Sequence, residues 1–138
     1  MSSKPADTPT AAHASPSSSG RTIRIAFVLT EFVVGGAEMM LWKLVSRMDR
    51  DRFTPLVVGL SPRGDVMLQR FATSNVDCRV LGISRACGAP MGLLRLASAF
   101  RQFRPDLVQG WLYHANIAAT VANSLVSRRT PVMWSIRG

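Results

Sequence analysis

The sequence predicts an α/β fold: a doubly wound parallel sheet with helices on both faces. Three observations predict it. From Arg21 onward, short β-rich apolar runs alternate with stretches of helical periodicity. The connections between them are short, and the order is βαβαβαβαβ, the pattern of a parallel sheet whose crossovers are helices.

The elements follow in order. Ile23-Arg24-Ile25-Ala26-Phe27-Val28-Leu29 reads as a buried first strand. Gly35-Gly36 breaks the chain, and Ala37, Met40, Leu41, Leu44, Val45 and Met48 then recur at helical spacing as an expected core stripe. Phe53 to Leu60 is the second strand, closed by Ser61-Pro62-Arg63-Gly64. A short helix over Asp65 to Thr73 turns Met67, Leu68 and Phe71 inward. Cys78 to Ile83 is the third strand and Gly88 to Gly92 a loop. Leu93, Leu96, Ala97, Phe100 and Phe103 line one face of a third helix, with Arg95 and Gln102 opposite and Arg101 at the flank. Arg104-Pro105-Asp106 stops that helix, because proline has no N–H with which to continue the ladder. Leu107 to Leu112 is the fourth strand. Ile117, Val121 and Leu125, backed by Ala118 and Ala122, are the expected inner face of a fourth helix, and Pro131 to Ile136 is a fifth strand.

In the common Rossmann-like strand order, 3-2-1-4-5, the winding reverses between strands one and four, with helices one and two on one face and three and four on the other. Ligands of such sheets bind beyond the carboxyl ends of the strands at that reversal. Two loops should therefore frame a site: Thr30 to Gly36 after strand one and Tyr113 to Asn116 after strand four.

Composition narrows the function classes. At 138 residues, 47% of them apolar, the chain has room for one modest core. Met1 to Gly20 is rich in Ser, Pro, Ala and Thr and reads as a disordered tail, leaving 21–138 as the folded domain. That tail lacks the basic start and apolar stretch of a secretory signal, and no apolar run reaches the ~20 residues that span a bilayer. A cytoplasmic location is expected. Cys78 and Cys87 form neither a disulfide framework nor a zinc motif, and no metal is expected. Lys4 and Lys43 are the only lysines among 17 basic residues, so the net charge of +9 is carried by arginine, a good bidentate partner for phosphate. The arginines are scattered, with no helix-turn-helix pattern and no aromatics interleaved with a basic stripe, so nucleic acid is not an expected partner.

The first framing loop carries Gly35, Gly36 and Glu38. Paired glycines ahead of a helix let the backbone approach a ligand and leave amides free for an anion; the same residues also suit a tight strand-to-helix turn. Glu38 either belongs to that site or complements the helix dipole. A dinucleotide fingerprint would need glycine at positions 37 and 40, where Ala37 and Met40 stand, and no Gly-Lys-Ser/Thr follows as in a P-loop. The second loop carries Trp111, Tyr113, His114 and Asn116. His114 at the crevice can hydrogen-bond a sugar hydroxyl or a developing charge. Asn116 binds substrate or caps the fourth helix. Trp111 and Tyr113 pack or offer an aromatic face to a sugar ring. Arg137, after strand five, is either a phosphate- or carboxylate-binding guanidinium or an exposed arginine.

Four stretches together carry a family likeness: Ile25–Leu29 running into Gly35-Gly36-Ala37-Glu38; Val57-Val58-Gly59-Leu60; Arg104-Pro105-Asp106-Leu107-Val108-Gln109 leading into Trp111-Leu112-Tyr113-His114-Ala115-Asn116; and Val132-Met133-Trp134-Ser135-Ile136-Arg137. In this order they resemble the N-terminal domain of glycosyltransferase family 4, the retaining enzymes of two-Rossmann-domain (GT-B) architecture. The resemblance implies a domain that holds a sugar acceptor while a C-terminal domain grips a nucleotide-sugar donor as co-substrate, with no catalytic metal. Gly35 and Gly36 would approach donor phosphates and acceptor, His114 would contact the transferring sugar, and Arg137 would sit near the acceptor. The family's basic pair and E-x7-E element belong to the C-terminal domain, for which this sequence has no counterpart. They offset charge on the departing diphosphate, so the resemblance implies an N-terminal half that is inactive alone: a fragment, a broken reading frame or half of a split enzyme. Strand five, without a following helix, is expected to leave part of a sheet face uncovered. A weak peripheral contact with the inner face of an anionic membrane, through the arginines of helix three, is compatible with this reading, as is a simply solvated face. The alternative is a stand-alone phosphate- or nucleotide-binding module of Rossmann type.

Overall fold

A computed structural model describes residues 20–84 and 88–136; the tail, Cys87 and Arg137 lie outside the described residues. Five strands, β1 (Ile23–Leu29), β2 (Phe53–Gly59), β3 (Asp77–Val80), β4 (Leu107–Trp111) and β5 (Val132–Ser135), alternate with four helices, α1 (Gly36–Ser46), α2 (Asp65–Thr73), α3 (Gly88–Phe103) and α4 (Tyr113–Ser124). All pairings are parallel and the order is β3-β2-β1-β4-β5, so the winding reverses between β1 and β4 as the sequence predicts.

Two cores sandwich the sheet. One joins Phe27, Leu29 and Val57 to Leu41 and Val45 of α1 and Met67 and Phe71 of α2. The other joins Ala26, Val28, Leu56 and Val108 to Leu96, Ala97, Phe100 and Phe103 of α3 and Ala115, Ala119 and Ala122 of α4. Alternate residues of one strand serve opposite cores, as the two-residue period of a pleated strand requires.

The helices depart from expectation in phase and extent. In α1 the buried face is Glu38, Leu41 and Val45, and Met40 and Leu44, expected inside, are exposed. In α4 the expected inner stripe points outward: Ile117 is 57% exposed, and Val121 and Leu125 are also on the surface. The reason lies in β4. A Cβ on Gly110 would sit 2.6 Å from Asn116 Cα, so α4 rides directly on the strand, and only alanine-sized side chains fit between them. The expected loop 88–92 is helical. Gly88 enters with φ +70, Pro90 lies in the first turn, where a missing N–H is harmless, and Gly92 is buried against Ile83. At its other end α3 stops at Arg104, which takes φ +54 ahead of Pro105. Residues 113–116 are likewise the first turn of α4 and not a loop, because Leu112 alone reverses the chain, with φ +75 and ψ 167. A non-glycine residue there is strained by roughly 1–3 kcal/mol.

On β5 both Met133 and Trp134 are about half exposed, although Trp134 Nε1 donates to Thr120 Oγ1 at 2.9 Å. The arginines of α3 are engaged with backbone carbonyls: Arg95 donates to Leu81 O and Arg101 to Leu125 O, each at 3.0 Å. No described helix is long and apolar enough to cross a membrane.

Candidate functional site

The carboxyl ends of β1, β2 and β4 meet at the reversal. Beyond the strands, Leu60 N donates to Leu29 O (3.0 Å) and Ser61 N to Thr30 O (2.9 Å), which keeps the ends of β1 and β2 in step. The loop after β1 then folds over α2 rather than into solvent. Phe32 is buried, its amide donates to Arg63 O at 3.0 Å, and its ring meets Phe71 edge-on with centroids 5.8 Å apart. Gly59 and Gly64 make room for it. A Cβ on Gly59 would strike the Phe32 ring, and Gly64, at φ +104, lies against the Phe32 carbonyl. What remains exposed at the tip is Val33 and Val34.

Gly35 is the N-cap of α1, in extended backbone, and accepts the first helical bond from Met39 N at 2.9 Å. Gly36 is exposed with open space around it. Glu38 is buried, and its Oε2 tucks against Gly35, in the position from which a carboxylate on the third helical residue serves the amino end of its own helix. The positive end of α1 thus already meets a negative charge from the chain.

Across the reversal, Trp111 Nε1 donates to Ala37 O at 3.0 Å, tying the end of β4 to the first turn of α1. Trp111 is therefore a packing residue, one of the two roles open to it from the sequence. Gly35–Gly36 and His114 both lie at the carboxyl edge of the neighbouring strands β1 and β4, but they lead into helices on opposite sheet faces. Tyr113 is exposed at the start of α4. Asn116 is buried. Its Nδ2 donates to Ser135 O at 3.3 Å, joining α4 to β5, and its Oδ1 has no hydrogen-bond partner among the described residues. It does not cap α4, since Leu112 holds that position.

His114 lines a cleft of about 410 Å³ that opens at this edge between α3 and α4. Thr30, Ser61 and His114 form its polar part; Leu60, Ile83, Leu93, Leu96, Ile117, Ala118 and Val121 supply most of the rest. Thr30 opens the first framing loop read from the sequence; Ser61 and Ile83 are the lining residues that sequence reasoning passed over. The strand-end rule finds Ser61 if it is applied to β2 as well as to the strands flanking the reversal. Clefts of about 330 and 460 Å³ also occur at the amino edge of the sheet, lined by Arg21, Arg24, Arg104 and Arg128 among others, on the side where such sheets do not bind ligands. Among the described residues no three His, Cys, Asp or Glu side chains gather as metal ligands would.

Chemically, the cleft edge offers one imidazole and two hydroxyls, a set that can orient a hydroxyl-bearing substrate and accept or stabilise a proton. Away from the site, burial, with help from Asp77, pushes the Cys78 thiol up to about 12, so it is not a nucleophile near neutral pH.

No protein-family model and no curated protein sequence matches the chain significantly. Solved structures do resemble it. The Anabaena protein Alr3699/HepE, crystallised with UDP and glucose, superposes with a TM-score of 0.62 at 19% identity, over 80% of this chain and 28% of its own. The Thermobaculum terrenum O-GlcNAc transferase gives 0.60 at 19% identity, over 82% of this chain and 20% of its own. A glycinamide ribonucleotide transformylase from Symbiobacterium toebii gives 0.53 at 18%, over 79% and 50%. The chain thus spans about a quarter of the first two proteins and half of the third. An O-GlcNAc transferase and a ribonucleotide transformylase share the likeness, so what it establishes is the fold: a five-stranded parallel α/β domain of Rossmann type.

Proposed function

We propose that the chain is the acceptor-side, N-terminal half of a family 4-like, retaining GT-B glycosyltransferase. It would help move a sugar from a nucleotide-sugar donor to a glycan, lipid-linked or small-molecule acceptor, and would be inactive without a donor-binding domain. The observation that carries this reading is the convergence of Thr30, Ser61 and His114 at the carboxyl ends of β1, β2 and β4, beside the reversal. His114 is the residue assigned to the reacting sugar, through a hydrogen bond to a hydroxyl or to charge developing in transfer. Gly36, exposed at the start of α1, leaves its backbone open to a donor phosphate, with Glu38 limiting how much negative charge that helix end tolerates. Two of the similarly folded proteins bear on the substrate class: one was crystallised with UDP and glucose, and the other is an O-GlcNAc transferase.

The test is equilibrium titration with UDP-glucose, with and without a donor-binding GT-B half supplied in trans. Nucleotide-sugar affinity and transfer that arise only with that half, and fall by about 10²-fold or more in His114→Ala, are the expected results. Tight nucleotide binding by the chain alone, indifferent to the added half, overturns the proposal in favour of a stand-alone nucleotide-binding module.

A further inference from the structure

The cleft beneath His114 changes character along its length. Thr30, Ser61 and His114 follow β1, β2 and β4 and so stand at the carboxyl edge. From that edge α3 contributes Ala89, Gly92, Leu93 and Leu96, and α4 contributes Ile117, Ala118 and Val121. Residues 89–96 and 114–121 each advance about 10 Å along a helix, so the apolar part is a groove two turns long between two helices. No Asp, Glu, Lys or Arg lines it. Its volume, about 410 Å³, falls within the range of small-molecule sites.

A hydrated sugar is a poor occupant for such a groove. Each buried hydroxyl left unpaired weakens binding, and below the polar edge the walls offer no side-chain donor or acceptor. An alkyl chain is a good one, since each methylene taken from water adds to the affinity. Ile117 and Val121, large apolar side chains left on the surface of α4, form the outer wall that such a chain would cover.

We infer that the acceptor is an amphiphile, with an alkyl chain lying between α3 and α4 and a hydroxyl-bearing head at Thr30, Ser61 and His114. This inference rests on the glycosyltransferase reading for the word acceptor, but the groove can be tested without it. The probes are octyl β-D-glucopyranoside, kept below its micellar concentration, and methyl β-D-glucopyranoside, titrated into the whole chain by calorimetry and by amide chemical shift. The octyl glucoside is expected to bind at least about tenfold more tightly, with shifts centred on Leu93, Leu96, Ala118 and Val121. Ala118→Trp, which fills the groove, should remove that preference. Should this variant fail to fold, Ile117→Asp at the exposed wall serves the same purpose, and Val66→Asp on the distant α2 should leave the preference intact.

Equal affinity for the two glucosides, or binding of neither, overturns the inference. So does a preference that survives the Ala118 and Ile117 variants. The two proposals fail separately: an octyl preference without any transferase activity sinks the enzyme reading alone. Transfer to methyl glucoside as efficient as to octyl glucoside sinks the amphiphile alone.

Discussion

The two faces of the sheet are packed by opposite means. Against α1 and α2 the core is built of bulky side chains, Phe27, Phe32, Leu41, Met67, Phe71 and Trp111, and the loop after β1 seals the top of that face with the Phe32 ring. Against α3 and α4, alanines at positions 26, 97, 115, 119 and 122 join Val28, Leu56, Val58, Leu96 and Val108, and the two phenylalanines of that core, Phe100 and Phe103, lie in the last turns of α3, at the amino end of the sheet. At the carboxyl end Ala89, Gly92 and Ala118 hold no bulk between the helices, and there the cleft opens, walled by Leu93, Leu96, Ile117 and Val121. A site at a sheet edge needs a void as well as strand ends, and the size of the side chains decides which face has one.

The contrast makes its largest prediction on the filled face. Phe71 is fully buried against Phe32, so Phe71→Ala should lower the unfolding free energy by about 3–5 kcal/mol, a large part of the total for a domain of this size. On the other face Ala119→Gly should cost about 1 kcal/mol, mainly through helix propensity. Urea denaturation of the two variants measures both. Similar losses would show that the two cores are not packed differently.

A smaller effect is expected at the amino end of α1. Glu38 sits in the first turn with its carboxylate against Gly35, so Glu38→Ala should destabilise by about 1 kcal/mol. A neutral result, read from the same denaturation curves, would leave the burial of Glu38 without a purpose at the helix end.

Smaller again is the contribution of the amino edge, where polar residues tie elements of the fold together. Asp106 accepts the Arg24 backbone N–H at 2.9 Å and pairs with Arg21 and Arg128. That backbone bond, helped by the two guanidinium charges against some burial, holds its carboxyl below the ordinary value of 3.8. A depressed carboxyl stabilises the fold above its unfolded value and stops doing so as pH falls through the folded one. The stability lost in Asp106→Asn should thus be small and constant from pH 7 down to about 4, then vanish on further acidification. A deficit that instead widens in acid would contradict the ion pairing.

Much of this was legible in the sequence and some was not, for physical reasons. β1, β2 and α2 end within one residue of where the apolar runs and turn residues put them, and the strand order is the common one expected for a doubly wound sheet. Helix phase was less legible because periodicity reports an apolar stripe without saying what the stripe faces. In α4, Ile117-Val121-Leu125 and Ala115-Ala119-Ala122 are both apolar and both helically spaced. The choice between them is made by Gly110 on another element, whose missing side chain draws the helix close. Leu112, at φ +75, turns the expected loop at Tyr113–Asn116 into the first turn of α4, which takes Asn116 inside and leaves Tyr113 and His114 out. Thr30 and Ser61 carry no motif at all. The pairing of β1 with both β2 and β4 brings them beside His114.

The smallest expected effect is the one that separates the two faces most directly. If Ile117 were a core residue, as helical spacing alone implies, Ile117→Ala would remove a buried side chain and cost about 2–5 kcal/mol. With 57% of it exposed, little apolar area is lost, and alanine is the better helix former by a few tenths of a kcal/mol. The expected denaturation midpoint is therefore unchanged or slightly raised. Octyl glucoside affinity, by contrast, should fall, because the truncated side chain is a wall of the groove. A residue that matters to a ligand and not to the fold is what an unfilled face predicts; a stability loss of 2 kcal/mol or more would instead put Ile117 in a core and close the groove.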